Sequence, residues 1–145
     1  MKAKDFFYAV SVVLLFIIGG CSKDDAPGEK MFQIKTDRQE VSVEGDSAST
    51  TLFQINASGV GISRIVLHYG GVDTVILNEL EAPFNLPKRS MVGDWYVVGT
   101  AGDELAIVLQ KNNTGIERTL QVSLDMIAAL STTVTIHQRP ANPAK

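Results

Sequence analysis

The stretch Ile65-Val66-Leu67-His68-Tyr69-Gly70-Gly71-Val72-Asp73-Thr74-Val75-Ile76 reads as two strands rich in β-branched and aromatic residues around a pair of glycines. Glycine supplies the positive φ of the primed two-residue turns, so Gly70-Gly71 is a hairpin signal. That turn sets the register. Tyr69 pairs with Val72, Leu67 with Thr74 and Ile65 with Ile76 on one mostly apolar face, while His68 meets Asp73 and Val66 meets Val75 on the other.

Outward from the hairpin the chain keeps a period of two, and no segment from Phe32 onward holds a helical period for three turns. Phe32-Gln33-Ile34 and Val41-Ser42-Val43 are short strands. Thr51 to Asn56 alternates with Phe53 and Ile55 on one side, after a turn cluster at Gly45-Asp46-Ser47. Towards the C-terminus Leu105, Ile107 and Leu109 share one side of a strand, Asn112-Asn113-Thr114-Gly115 turns the chain, and Leu120, Val122 and Leu124 share one side of the next. Thr133 to Gln138 alternates with Val134 and Ile136 inward. Glu79 to Gly93 is a long connection broken by Pro83 and Pro87, with Phe84 and Leu86 as expected anchors. About eight short strands at this spacing predict an all-β, two-sheet antiparallel β-sandwich.

Trp95, the Gly102-Asp103 turn, Gln110-Lys111-Asn112, Asn113-Thr114-Gly115, Arg118-Thr119 and the closing Thr135-Ile136-His137-Gln138 occur in that order. Together they resemble the C-terminal pattern of BACON domains, immunoglobulin-like modules of Bacteroidetes surface proteins that often accompany carbohydrate-active enzymes. The resemblance covers Trp95 to Gln138 well and Phe32 to Asn56 loosely. It fails between Gly59 and Gly93, where the hairpin and the proline-bearing connection exceed the usual short form. It implies an immunoglobulin-like fold and either a carbohydrate-binding or a spacer role. A sandwich fold alone does not choose between them.

The chain has 145 residues, 45% hydrophobic and 20% charged, with a formal net charge of −3. Part of that hydrophobicity belongs to residues 1–20, where Lys2 and Lys4 precede an apolar run from Val10 to Ile18 interrupted by Ser11. The run is a signal-peptide h-region, shorter than the ~20 residues that span a bilayer. Ile18-Gly19-Gly20-Cys21 resembles the bacterial lipobox, which implies a diacylglyceryl thioether on Cys21, cleavage before it and acylation of the new amino group. Cys21 is the only cysteine, so the sandwich is expected to hold without a disulfide.

The acidic run Ser22-Lys23-Asp24-Asp25 resembles the surface-export signal of Bacteroidetes lipoproteins. It points to the outer face of an outer membrane, with the periplasmic face as the alternative. The expected organisation is a removable signal over 1–20, a lipidated cysteine and tether over 21–31, a sandwich over 32–139 and a tail over 140–145. Without the signal the chain is more acidic still, which excludes a nucleic-acid surface.

Catalysis needs a nucleophile beside a base, paired carboxylates or a metal. The sequence has no G-x-S-x-G elbow, no H-E-x-x-H, no cysteine cluster and no calcium-loop pattern. His68 and His137 read as surface histidines of a sheet. A non-enzymatic protein without cofactor or metal is expected.

Sugar binding would use aromatic faces. Trp95 and Tyr96 are adjacent in a strand and point to opposite sides. With Trp95 in the core, Tyr96 becomes the stacking platform, and Tyr69 is a second one. Met126-Ile127-Ala128-Ala129-Leu130 places five apolar residues where a polar loop is expected. It reads as a helical turn over the end of the core or, through Met126, Ile127 and Leu130, as a tip that contacts a partner protein or the membrane.

Asp46-Ser47-Ala48 and Asp73-Thr74-Val75 resemble the acceptor triplet of Bacteroidetes O-glycosylation. Ser47 lies in a turn and is the accessible site, whereas Thr74 falls on the more apolar face of the hairpin. The resulting expectation is an accessory or binding module of the cell surface that handles a glycan. Its alternative is a structural spacer or adhesion module engaging a surface protein.

The lipobox makes a direct prediction. Metabolic labelling with palmitate should tag the wild-type chain, and Cys21→Ser should remove the label; label retained in that variant would refute the anchor.

Overall fold

The structure is a computed structural model and describes residues 31–143. The signal and the lipidation motif at Cys21 lie outside the described residues. Along the chain run β1 (Phe32–Gln33), β2 (Glu40–Val43), β3 (Ser49–Gln54), β4 (Gly61–Tyr69), β5 (Val72–Leu77), β6 (Leu80–Glu81) and β7 (Leu86–Pro87). They continue with β8 (Ser90–Val92), β9 (Tyr96–Ala101), β10 (Glu104–Leu109), β11 (Arg118–Asp125), β12 (Ala129–Leu130) and β13 (Thr132–Gln138).

Two sheets carry the fold. One has the order β2-β13-β11-β4-β5 and the other β3-β10-β9-β8. β2 runs parallel to β13, and every other pairing within the two sheets is antiparallel. β3, β10 and β9 take the B, E and D positions of an immunoglobulin-like sandwich, and β4, β11 and β13 take C, F and G, with β5 extending that sheet.

The period-two reading of the sequence places the core. Phe53, Leu105, Ile107, Leu109 and Val98 from one sheet meet Ile62, Ile65, Leu120, Val122, Leu124, Val134 and Ile136 from the other, all buried. Each such side chain contributes about 1.5–3 kcal/mol on burial. These contacts join the sheets where antibody domains use a disulfide.

The Gly70-Gly71 hairpin has the expected register at all five pairs from Ile65↔Ile76 to Tyr69↔Val72. Both glycines have positive φ, 58° and 78°, as a type I′ turn requires.

Two segments depart from the sequence reading. The connection after β5 is not one loop: β6 and β7 pair with each other, and β8 joins the second sheet beside β9. Phe84, expected as an anchor, sits at the tip of the small hairpin and is 71% exposed, while Leu86 is half-buried. The Met126 to Leu130 segment forms no helical turn. Five residues are too few to offset helix nucleation, and β1 offers a strand instead, so β12 pairs with it in parallel. Ile34 N donates to Leu130 O at 3.1 Å, and Ile34 closes the core beneath.

A polar knot ties the end of the sandwich at which β10, β11 and β13 meet. Arg118, at the start of β11, is buried and donates from Nε to Gln138 Oε1 at 2.7 Å and from Nη2 to the carbonyls of Gln110 and Lys111. Gln138, fully buried, returns a bond from Nε2 to Gln110 O at 2.8 Å. Asn112, also fully buried, donates from Nδ2 to the carbonyls of Ile116, Gln138 and Arg139 and accepts on Oδ1 from Thr114 Oγ1 at 2.6 Å. Its amide donates to Gly45 O at 2.9 Å. Gly45 must lack a side chain because a Cβ there would lie 2.0 Å from Arg139 O.

Buried polar groups left without partners cost about 1–3 kcal/mol each. Asn112→Ala strands several at once and should lower the unfolding free energy by about 3 kcal/mol. Urea denaturation checks this: the midpoint should fall with an unchanged slope, while Leu52→Ala on the exposed side of β3 should stay within about 0.5 kcal/mol of wild type.

Candidate functional site

Where the two sheets diverge, β5 on one side and the β8 to β9 connection on the other border an open groove. It consists of two adjoining depressions of about 580 and 330 Å3. Leu67 and Trp95 line both, so the two depressions meet at these side chains. Tyr69, Val72 and Thr74 line the smaller part, and Ile76, Met91 and Tyr96 are among the residues lining the larger. Glu79, Lys88 and Asp94 supply its charges.

Each wall follows from local structure. Leu67, Tyr69, Val72, Thr74 and Ile76 share one face of the β4–β5 hairpin because the register pairs odd residues with even ones on that face. The chain then crosses from one sheet to the other. Asn78 pins the crossing: its Nδ2 donates to Ile62 O at 2.8 Å and to Lys88 O at 3.0 Å, and its Oδ1 accepts from Glu79 N. Glu79 and Lys88 form an exposed ion pair. Their mutual hydrogen bond and charge hold the Glu79 carboxyl below and the Lys88 ammonium above their ordinary values.

The assignment of Trp95 and Tyr96 is reversed from the sequence reading. Tyr96 is 3% exposed and belongs to the core with Val98 and Thr100, which share its side of β9. Trp95 is half-buried beside the core. Two neighbours decide this. Gly93 leaves room for the phenol ring, since a Cβ there would lie 2.2 Å from it. The Arg118 guanidinium, held by the polar knot, sits 4.0 Å from the centroid of the Trp95 ring, an attractive cation–π contact. The two rings meet edge to face, with centroids 5.5 Å apart.

Tyr96 is therefore no exposed platform. Trp95 and Tyr69 are the two aromatics that border the smaller depression. Adjacency in the sequence could not order the Trp-Tyr pair; the alternation with Val98 and Thr100 carries the signal that could have done so. Glu79 and Lys88 were not singled out by sequence because a surface ion pair has no motif.

The other expected residues lie elsewhere. Met126 packs against the core edge, while Ile127 and Leu130 are exposed beside β1. Ser47 is exposed in the turn before β3. Thr74 faces the groove side of the hairpin but is exposed, because among the described residues β5 is the last strand of its sheet and has neighbours on one side only. His68 pairs with Asp73 across the hairpin, and His137 Nε2 lies 2.6 Å from Glu40 Oε1. Among the described residues no group of three or more His, Cys, Asp or Glu converges as metal ligands would.

No family model matches the chain, and no curated protein sequence does. Among solved structures it is similar to a protein from Bacteroides thetaiotaomicron determined by NMR, at 20% identity and a TM-score of 0.58, over 77% of this chain and 90% of that one. It also superposes on a GH5 xyloglucanase from Bacteroides ovatus in complex with a XXXG heptasaccharide, at 15% identity and a TM-score of 0.49. That match covers 78% of this chain and 20% of the xyloglucanase. A third likeness is titin domain M7, at 9% identity and a TM-score of 0.45, over 77% and 96% of the two chains. The protein is an immunoglobulin-like β-sandwich domain.

Burial, reinforced by the nearby Asp94 carboxylate, raises the Tyr96 phenol above its ordinary 10.0. A value raised on folding gives stability that is fully present below the unfolded value and lost as the pH rises through the folded one. The fold should therefore lose stability on alkaline titration above about pH 10, and Tyr96→Phe should flatten that loss. Coincident alkaline stability curves for the two proteins would contradict the assignment.

Proposed function

We propose that this protein is a non-enzymatic, BACON-like surface lipoprotein, anchored through Cys21 to the outer membrane, whose groove at Trp95 and Tyr69 takes a glycan. The observation that carries the reading is the placement of two aromatic rings on one open groove that also bears Glu79, Lys88 and Asp94. Sugar rings present C–H faces to aromatic side chains and hydroxyls to charged ones, so a site for them combines an apolar wall with a few polar groups. The BACON part of the reading gains support from space. Trp95, Gln110, Lys111, Asn112, Arg118 and Gln138, quoted for that resemblance, all belong to one knot.

A specific observation favours a second reading, that of an adhesion or spacer module. Met31, Phe32, Ile127 and Leu130 are all exposed around the paired β1 and β12, an apolar end suited to a surface protein.

One experiment separates the two. In a glycan array followed by calorimetry on the best ligand, Tyr69→Ala should weaken binding at least about tenfold with the fold intact, while Ile127→Ser with Leu130→Ser leaves it unchanged. A blank array, or binding indifferent to Tyr69→Ala, would remove the groove from the function. Loss of a protein partner in the Ile127 and Leu130 variant alone would establish the second reading.

A further inference from the structure

β5 ends the five-stranded sheet with nothing beyond it among the described residues. The two-residue turn makes Tyr69 and Val72 a hydrogen-bonded pair, so Val72, Thr74 and Ile76 bond inward to β4 and the backbone groups of Asp73, Val75 and Leu77 point out of the sheet. The bond from Asn78 N to Ser63 O at 3.0 Å continues the same phase.

Apart from the single charge of Asp73, this edge lacks the usual protections. It has six residues with no lysine, arginine or proline, its ladder to β4 runs without a bulge, and Val72, Val75 and Leu77 are 64%, 58% and 74% exposed. Edges of this kind pair with another strand.

We propose that the β5 edge pairs antiparallel with β5 of a second copy of this chain, about a two-fold axis at Val75. The known register shows that the edge is complementary to itself. Val66 lies across from Val75 and Arg64 across from Leu77, while His68 lies across from Asp73. Doubling the sheet about Val75 creates a central row Val66-Val75-Val75-Val66, with the second pair from the partner copy. On each side of it runs a row Arg64-Leu77-Asp73-His68, its first pair from one copy and its second from the other.

No like charges stand directly opposite. Asp73 of each copy comes two strand spacings, about 10 Å, from Arg64 of the other, within reach of the long arginine side chain. Residues Asp73, Val75 and Leu77 of both copies exchange their free backbone groups, giving six new hydrogen bonds. A two-fold axis makes the interface isologous and closes it at the dimer. This pairing is independent of the glycan reading, because it uses the outward backbone and the opposite face of the hairpin.

The test uses the full chain in mild detergent. Sedimentation should give twice the monomer mass for the wild type. Val75→Lys, which sets two ammonium groups opposite each other on an exposed position, should raise the dissociation constant at least about tenfold with an unchanged circular dichroism spectrum. Oxidation of Val75→Cys should yield a reducible covalent dimer, against a blank from the wild type with its single Cys21 and from Val97→Cys on the other sheet. A monomeric wild type, or a dimer that survives Val75→Lys, overturns the proposal. A monomer whose β5 amides become protected only on adding an extended peptide would overturn it too and assign the edge to a strand of another protein.

Discussion

The rest of the structure depends on a buried cation, Arg118, that has no carboxylate partner among the described residues. Burial works against the charge of Arg118 and draws its value downward, so the fold has to satisfy the guanidinium with neutral groups. It does so with two backbone carbonyls, the amide oxygen of Gln138 and the face of an indole. Charge-assisted hydrogen bonds are stronger and more directional than neutral ones, so these four contacts fix four pieces of chain: the start of β9, the end of β10, the start of β11 and the end of β13. Asn112 extends the tie to the turn before β3 through Gly45. In a domain without an internal disulfide, this knot is what holds the ends of both sheets in register while the apolar core holds their faces.

The groove inherits its shape from that knot. A tryptophan at the mouth of a sandwich would otherwise choose between burial and solvent. Arg118 settles the choice by covering one face of Trp95, and the ring then stands as a fixed wall shared by both depressions. A wall held in place before a ligand arrives loses little rotamer freedom on binding. The residue that stabilises the fold thus also positions the aromatic that walls the groove.

What was legible in the sequence follows the range of the forces involved. The β4–β5 register was fully written in Gly70-Gly71, because turn chemistry is local. The inward sets at Leu105, Ile107, Leu109, Leu120, Val122 and Leu124 were likewise legible from alternation alone. The order of Trp95 and Tyr96 was legible only through the alternation of Tyr96 with Val98 and Thr100; the contacts that hold it, Arg118 from more than twenty positions away and the space above Gly93, are not local. The strand pairing of β12 with β1 joins segments almost a hundred residues apart, so an apolar pentapeptide read alone favoured a local turn. Phe84 misled for a different reason: an aromatic beside prolines has the composition of an anchor, but the β6–β7 hairpin is too small to have a core in which to set it.

The insertion between Asn78 and Gly93 links these features. β5 belongs to one sheet and β8 to the other, so the chain between them has to cross the open side of the sandwich. The crossing, pinned at its start by Asn78 and braced by the Glu79 and Lys88 pair, runs beside the groove that Leu67, Trp95 and Tyr96 line. It also carries the chain away from β5 instead of folding back along it, which leaves the outward backbone of Asp73, Val75 and Leu77 without a neighbour among the described residues. The segment that links the two sheets thus borders both the groove and the open edge.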